Sequence, residues 1–215
     1  MSDQTDPDQP PLFHDPVHHR IVSAALTLAA RDGWRGVTLN QIAVAAGIGL
    51  GTLYRMFPAK SAILAGLIRE VDMTVLAVPT DEEEPPRDRL FEVLMRRFDA
   101  LARYRDGLRR IAREAPRDLF SVIALGPPLT RSMGWMLEAA GIDGGGIGGL
   151  LRRHALAALY VSVFRVWLDD ETDDCAVTLA ALDARLRQAD SLYSCLRRGI
   201  RRKPPAGPTA GPKVD

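Results

Sequence analysis

Cysteine is nearly absent from this chain. Cys175 and Cys195 are the only two, too few and too far apart for a metal cage or a disulfide framework. A reduced, cytoplasmic setting is the simplest expectation. No uninterrupted apolar run approaches the roughly 18 residues that a membrane span needs. The opening MSDQTDPDQPP is acidic and proline-rich, without the apolar centre of a signal peptide, so no membrane insertion is expected. Net charge is scarce as well, at +1, so bulk charge gives no sign of a nucleic-acid partner. Catalytic material is thin: His14, Asp15, His18 and His19 form the one His/Asp crowd, beside a stretch that reads as a disordered arm. No nucleophile–base set and no metal cluster stands out. An enzyme, a metal and a cofactor are therefore not expected.

What the chain has is helical periodicity. Ile21, Ala24, Ala25, Leu28 and Ala29 share one stripe of a helix over 16–31. A second helix is predicted over about 58–78, with Pro58 in its first turn and Ile63, Leu64, Leu67, Ile68, Val71 and Val75 on its buried side. Leu90, Val93, Leu94, Phe98 and Leu101 predict another over about 87–104. Gly107 and Pro116 bracket a short one, and Pro127–Pro128 is expected to interrupt the next. The glycine-rich GIDGGGIGG, 141–149, lacks both a preceding strand and a Gly-Lys-Ser/Thr ending, so it reads as an inter-helix loop and not a phosphate cradle. Long helices are expected over about 150–169 and 173–198. The first is apolar nearly all round, which implies burial on more than one side. The fold class is all-α, about nine helices, with an N-terminal three-helix unit and a C-terminal bundle. The expected division is a disordered arm (1–16), a helix-turn-helix unit (17–60), a ligand-binding and dimerisation bundle (61–198) and a disordered tail (199–215).

The rest is organised around VTLNQIAVAAGIGLGTLYRMFPAK, Val37 to Lys60. Thr38 followed three residues later by Gln41 is a capping box. Leu39, Ile42, Ala43 and Ala46 share a face, and Gly47 stops the helix. A second short helix is predicted from about Gly49 to Tyr54. Two short helices joined by a tight glycine turn form the unit whose second helix enters a major groove. Charge agrees with this. From His18 to Glu70, Arg20, Arg31, Arg35, Arg55, Lys60 and Arg69 stand against Asp32 and Glu70, a net of +4. From Val71 to Arg89, two arginines stand against six acids, a net of −4. A basic head above an acidic neck fits a module that meets phosphates at one end only.

The same residues carry a resemblance. Thr38, Ile42, Ala43, Ala46, Gly47, Ile48, Gly51, Thr52, Leu53, Tyr54, Phe57 and Lys60, in fixed spacing, resemble the N-terminal signature of TetR-type transcriptional repressors. The likeness covers about residues 18–77. It implies a helical homodimer on double-stranded, palindromic DNA, with the reader at the N-terminus and an effector pocket in the bundle. Gly49, Leu50 and Met56 depart from the family's commoner residues, leaving Thr52 and Arg55 as the polar candidates for base edges. The DNA-binding candidates are Thr38, Gln41, Leu50, Gly51, Thr52, Tyr54, Arg55 and Lys60; the resemblance gives Tyr54 and Lys60 as phosphate contacts.

Phe98, Met133, Trp135, Met136, His154, Phe164, Arg165 and Trp167 are the ligand-binding candidates. Large and soft apolar side chains of this kind form adaptable cavities when they are not plain core. Few buried charges are expected among them, so the effector should be hydrophobic and neutral or weakly acidic. A weaker resemblance lies in the C-terminal half. SMGWMLEAAGI and RVWLDDETDDCAVTLAALDARL, Arg165 to Leu186, are similar to TetR-fold lipid-binding accessory proteins of ubiquinone biosynthesis. The expected function is a DNA-binding regulator, a repressor released by a hydrophobic effector. The alternative is a lipid-binding accessory protein without DNA binding.

Overall fold

A computed structural model describes residues 16–114 and 119–200. Among the described residues there are nine α-helices, one 3-10 turn and no strand. Of the predicted arm and tail, residues 1–15 and 201–215 lie outside the described residues, as does Pro116; Pro16 opens α1 and α9 runs on to Ile200. The N-terminal unit is α1 (Pro16–Asp32), α2 (Leu39–Ala45) and α3 (Leu50–Met56). Then follow α4 (Lys60–Leu76), α5 (Pro86–Leu101), a 3-10 turn (Ala102–Tyr104), α6 (Arg105–Glu114), α7 (Leu119–Ala139), α8 (Gly146–Asp169) and α9 (Ala176–Ile200).

α4 ties the parts together. It packs on α1 in the N-terminal unit and on α5 and α7 in the bundle. Its apolar stripe faces inward as the sequence predicts: Ile63, Leu64, Leu67, Val71 and Val75 are buried. α6 is the second tie, lying along α1. The approach is close, since a Cβ on Gly107 would stand 2.5 Å from the Leu26 carbonyl oxygen. α7, α8 and α9 complete the bundle. No helix among the described residues is long and apolar enough to cross a membrane.

Several sequence boundaries move. α4 begins at Lys60, so Pro58 precedes the helix and Ala59 is its N-cap. The helix expected to run to Tyr104 gives way to a 3-10 turn after Leu101. Gly107 sits inside α6 and does not bracket it. Pro127 and Pro128 lie within one continuous α7. Each removes an N–H from the ladder, but packing of Met133, Met136, Leu137 and Ala140 holds the rest of the helix in place. The glycine-rich stretch is a loop only as far as Gly145; Gly146 to Gly149 are the first turn of α8. A Cβ on Gly149 would lie 2.0 Å from the Gly144 carbonyl oxygen, so this turn closes only because residue 149 lacks a side chain.

Candidate nucleic-acid interface

The start of α2 is fixed from both sides. The Gln41 amide donates to Thr38 Oγ1 at 3.2 Å, and the Thr38 amide donates to Gln41 Oε1 at 2.8 Å. Its end is fixed as firmly. Gly47 has φ +67°, the left-handed region open to glycine at low cost. Its amide donates to the Val44 carbonyl at 3.1 Å and that of Ile48 to the Ala43 carbonyl at 3.0 Å. That pair of bonds is the Schellman closure. Gly49 then caps α3 without a side-chain bond.

Packing decides which face of α3 looks outward. Leu53 and Ile42 are fully buried, with Phe57 and Ala46 close behind. That leaves Leu50, Gly51, Tyr54 and Arg55 exposed, with Thr52 half-buried. Tyr54 is 68 % exposed and Leu50 50 % exposed. A side chain on Gly51 would meet nothing within 4 Å, so backbone there is open to close approach. Arg55 Nη2 donates to Thr52 Oγ1 at 3.4 Å, which orders the two polar candidates as a pair. The structure therefore gathers Leu50, Gly51, Thr52, Tyr54 and Arg55 on one short helix. Thr38 and Gln41 stand at the start of α2, their side chains joined in the capping box.

Lys60 sits differently from a phosphate ligand. Its Nζ donates to the carbonyls of Trp34 at 2.7 Å and Val37 at 2.9 Å, and lies 5.0 Å from the Trp34 ring centroid. The ammonium group thus clamps the α1–α2 connection onto the start of α4. Arg20 and Arg35 are exposed in the same unit and Arg69 on α4 beside it, while Arg31 pairs with its neighbour Asp32 at 2.7 Å. Glu70, counted above against the basic head, is buried; the surface of the unit is more basic than its composition.

The proposed effector residues are dispersed. Phe98, Met133, Met136 and Trp167 are buried in the core, and Phe164 is half-buried. Phe98 stacks on Tyr160 at 5.2 Å and meets Trp167 at 5.6 Å; Phe164 lies 5.5 Å from Trp167. Trp135, His154 and Arg165 are exposed and stand apart from that cluster. His154 Nδ1 lies 2.8 Å from the Leu150 carbonyl. Arg165 borders an open groove with Val166, Asp169, Thr172 and Val177.

The bundle centre holds charges that the sequence reading did not place there. Arg97 is 1 % exposed and pairs through Nη1 with Asp72. Ser132 Oγ donates to the same Asp72 oxygen at 2.6 Å. The guanidinium lies 5.3 Å from the Tyr160 ring centroid. Arg97 Nε is buried without a hydrogen-bond partner, and the buried Tyr160 hydroxyl has the Arg97 guanidinium as its polar neighbour. Burial pushes the Tyr160 phenol up, outweighing the pull of Arg97, so it remains an O–H donor. The sequence did carry a signal: Arg97 falls three residues after Leu94 and four before Leu101, inside the buried stripe. A charge at a stripe position marks a buried polar centre.

Comparison with known proteins agrees with the fold. The family model "Bacterial regulatory proteins, tetR family" matches residues 21–67. A second, "COQ9", matches residues 151–193, a span containing the segment of the weaker resemblance. The chain is 41 % identical over 54 residues to the HTH-type transcriptional repressor KstR of Rhodococcus jostii (strain RHA1), a match covering 25 % of this chain. It spans about a quarter of the length of that relative, 26 %. Among solved structures, a TetR transcriptional regulator from Nitrosomonas europaea ATCC 19718 is similar with a TM-score of 0.65 at 23 % identity, over 82 % of this chain and 99 % of that one. Another from Rhodococcus sp. RHA1 has a TM-score of 0.56 at 25 % identity, over 80 % and 96 %. Residues 21–67 thus match the TetR family of bacterial regulatory proteins, and the fold of the described residues is that of TetR regulators of known structure.

Proposed function

We propose that the protein is a DNA-binding transcriptional regulator that acts as a homodimer on a palindromic operator. One observation carries this: α2 is closed at both ends by side-chain and glycine caps, and the face of α3 left open carries Thr52, Tyr54 and Arg55. Two such helices in a dimer reach successive major grooves roughly 34–36 Å apart. Arg55 and Thr52 address base edges, and Leu50 offers an apolar contact to a thymine methyl. Tyr54 and the exposed arginines face the backbone, where contacts fix register.

The regulator is a repressor released by a hydrophobic effector. Supporting this is the bundle centre, where Arg97 Nε, a buried donor without a partner, and the Tyr160 hydroxyl beside it adjoin the Phe98–Tyr160–Trp167 aromatic cluster. Asp72 already balances the Arg97 charge. A second carboxylate there would leave an uncompensated buried charge, so the effector is an apolar molecule with an uncharged acceptor such as a carbonyl oxygen. Effector and DNA then weaken each other's binding equally.

The test is binding of the purified protein to fragments from its own upstream region and to a scrambled duplex, at low and moderate salt. Tight, sequence-dependent, salt-sensitive binding is expected. Equally weak binding to every duplex would overturn the reading. It would favour the lipid-binding accessory role, for which the match over residues 151–193 speaks; organic extraction of the protein would then yield a bound lipid.

A further inference from the structure

The one cluster of histidines in the sequence is not idle in the fold. Glu70 of α4 is buried at the seam between α4, α1 and the 3-10 turn. His19 Nδ1 of α1 lies 2.7 Å from Glu70 Oε1. Arg103 Nη2, from the 3-10 turn, donates to that oxygen at 3.1 Å. His18 Nδ1 stands 3.6 Å from Oε2. His18 reaches in the other direction as well: its ring lies 5.0 Å from that of Phe57, the C-cap residue of α3. Both rings fill the space over Gly66, where a Cβ would come within 2.9 Å of His18 Nε2 and 2.7 Å of Phe57 Cε1. One continuous chain of contacts therefore runs from Arg103 on the bundle side, through Glu70 and the histidine pair, to the end of the DNA-facing helix.

Several groups among the described residues set the electrostatics of the seam. Burial by itself raises the Glu70 carboxyl; hydrogen bonds from His18 and His19 and the charges of His19 and Arg103 outweigh it, and it is held below its ordinary value. From the 3-10 turn, Tyr104 faces the same carboxylate, its phenol pushed up by burial and by the Glu70 charge. Asp99 and Arg103 line the shallow groove next to Glu70. From α3 the seam receives the apolar Phe57 ring.

We infer that His18, His19 and Glu70 are positioning residues for α3, and that protonation of the histidine pair seats the helix for specific DNA binding. Histidine is the side chain whose charge changes between about pH 5 and 8. An imidazole bond to a carboxylate becomes charge-assisted on protonation and roughly twice as strong. With α3 seated in the DNA-bound form, the His19–Glu70 contact is held more firmly there than in the free form, so protons and specific DNA favour one another by linkage. Specific affinity then rises as pH falls from 8 to 6. The same relay gives the bundle a grip on the reader, because displacement of the 3-10 turn draws Arg103 from Glu70. This rests on the DNA-binding reading above for its consequence, not for its geometry.

The geometry is tested without DNA. In the full-length protein, hydrogen exchange across Leu50–Phe57 is compared for wild type and Glu70→Gln at one pH. Faster exchange in α3, with far-ultraviolet circular dichroism unchanged, is expected although the substitution lies on α4; unchanged α3 exchange overturns the relay. Arg103→Gln, on the half-exposed outer contact, serves if Glu70→Gln does not fold, with a smaller acceleration expected and none counting against it. The consequence is tested by the ratio of affinities for an upstream fragment and a scrambled duplex at pH 6, 7 and 8. A ratio cancels the general gain of positive charge on acidification. It should fall severalfold from pH 6 to 8 in wild type and stay flat in His19→Gln. A flat wild-type ratio, or an equal fall in the variant, overturns the proton link. If no duplex binds, the DNA-binding reading fails, and hydrogen exchange still decides the relay.

Discussion

Tyr160 shows how much one atom decides. Its ring is fully engaged, stacked on Phe98 and set under Arg97, and its buried hydroxyl has only the Arg97 guanidinium as polar neighbour. A buried hydroxyl short of its full set of partners adds little to the fold, and one left wholly unsatisfied costs about 1–3 kcal/mol. Tyr160→Phe removes the hydroxyl and keeps the ring, so thermal stability should hold or rise slightly. Release from DNA by a carbonyl-bearing hydrophobic effector should weaken about tenfold, the value of roughly one good hydrogen bond. A fall in melting temperature would show that the hydroxyl serves the fold instead. Lys60 presents the reverse case. Its two carbonyl bonds to Trp34 and Val37 make it a clamp. Lys60→Met should lower the melting temperature and weaken specific and random duplexes alike, while the slope of log affinity against log salt stays unchanged. A slope shallower by about one charge would restore the phosphate contact.

At the scale of elements, short-range chemistry was the legible part. Thr38, Gln41 and Gly47 determine the ends of α2 through bonds to neighbours in sequence, so their spacing alone located the reader. Pro127–Pro128 does not interrupt α7 because packing of the residues that follow overrides local preference, and Gly146–Gly149 joins α8 because glycine at 149 lets the turn approach the Gly144 carbonyl. Arg97 was missed because periodicity assigns charge to the outside, and nothing in the local sequence names Asp72 as its partner 25 residues away. The α8–α9 turn combines both cases. Asp170 is 3 % exposed and accepts from the amide and hydroxyl of Thr172, at 3.1 and 2.5 Å, and of Thr178, at 2.8 and 2.7 Å. Burial alone would raise its carboxyl; these four bonds outweigh that and hold it well below the usual carboxylate range. A group with a depressed native value adds stability above its unfolded value of about 3.9, and that stability fades as pH falls through the carboxylate range. Asp170→Asn should therefore cost about 2 kcal/mol at pH 7. The difference should shrink steadily below about pH 4. A difference constant from pH 7 to 3 would remove ionisation from the explanation.

For the molecule as a whole, the question is what covers α8 and α9. α8 buries Leu156, Tyr160, Val163, Trp167 and Leu168 against the bundle. It nevertheless leaves Leu151, Ala155 and Ala158 exposed along one stripe, and α9 adds Val177, Ala180 and Ala184. Leu151 is 70 % exposed and Val177 52 %. Small residues along both helices let a second pair approach closely, and a two-fold axis makes such a face complementary to itself. Sequence periodicity indicated only that α8 has more apolar surface than one contact consumes; the fold shows which residues are left over. Ala158→Glu places a charge in the centre of the stripe, on a position already open to water in the monomer. Sedimentation velocity should show the wild type as a dimer and the variant as a folded monomer. Operator affinity should fall by far more than random-duplex affinity, because one reader alone loses the second half-site. A variant that remains dimeric would exclude this face and require the two readers to be joined elsewhere.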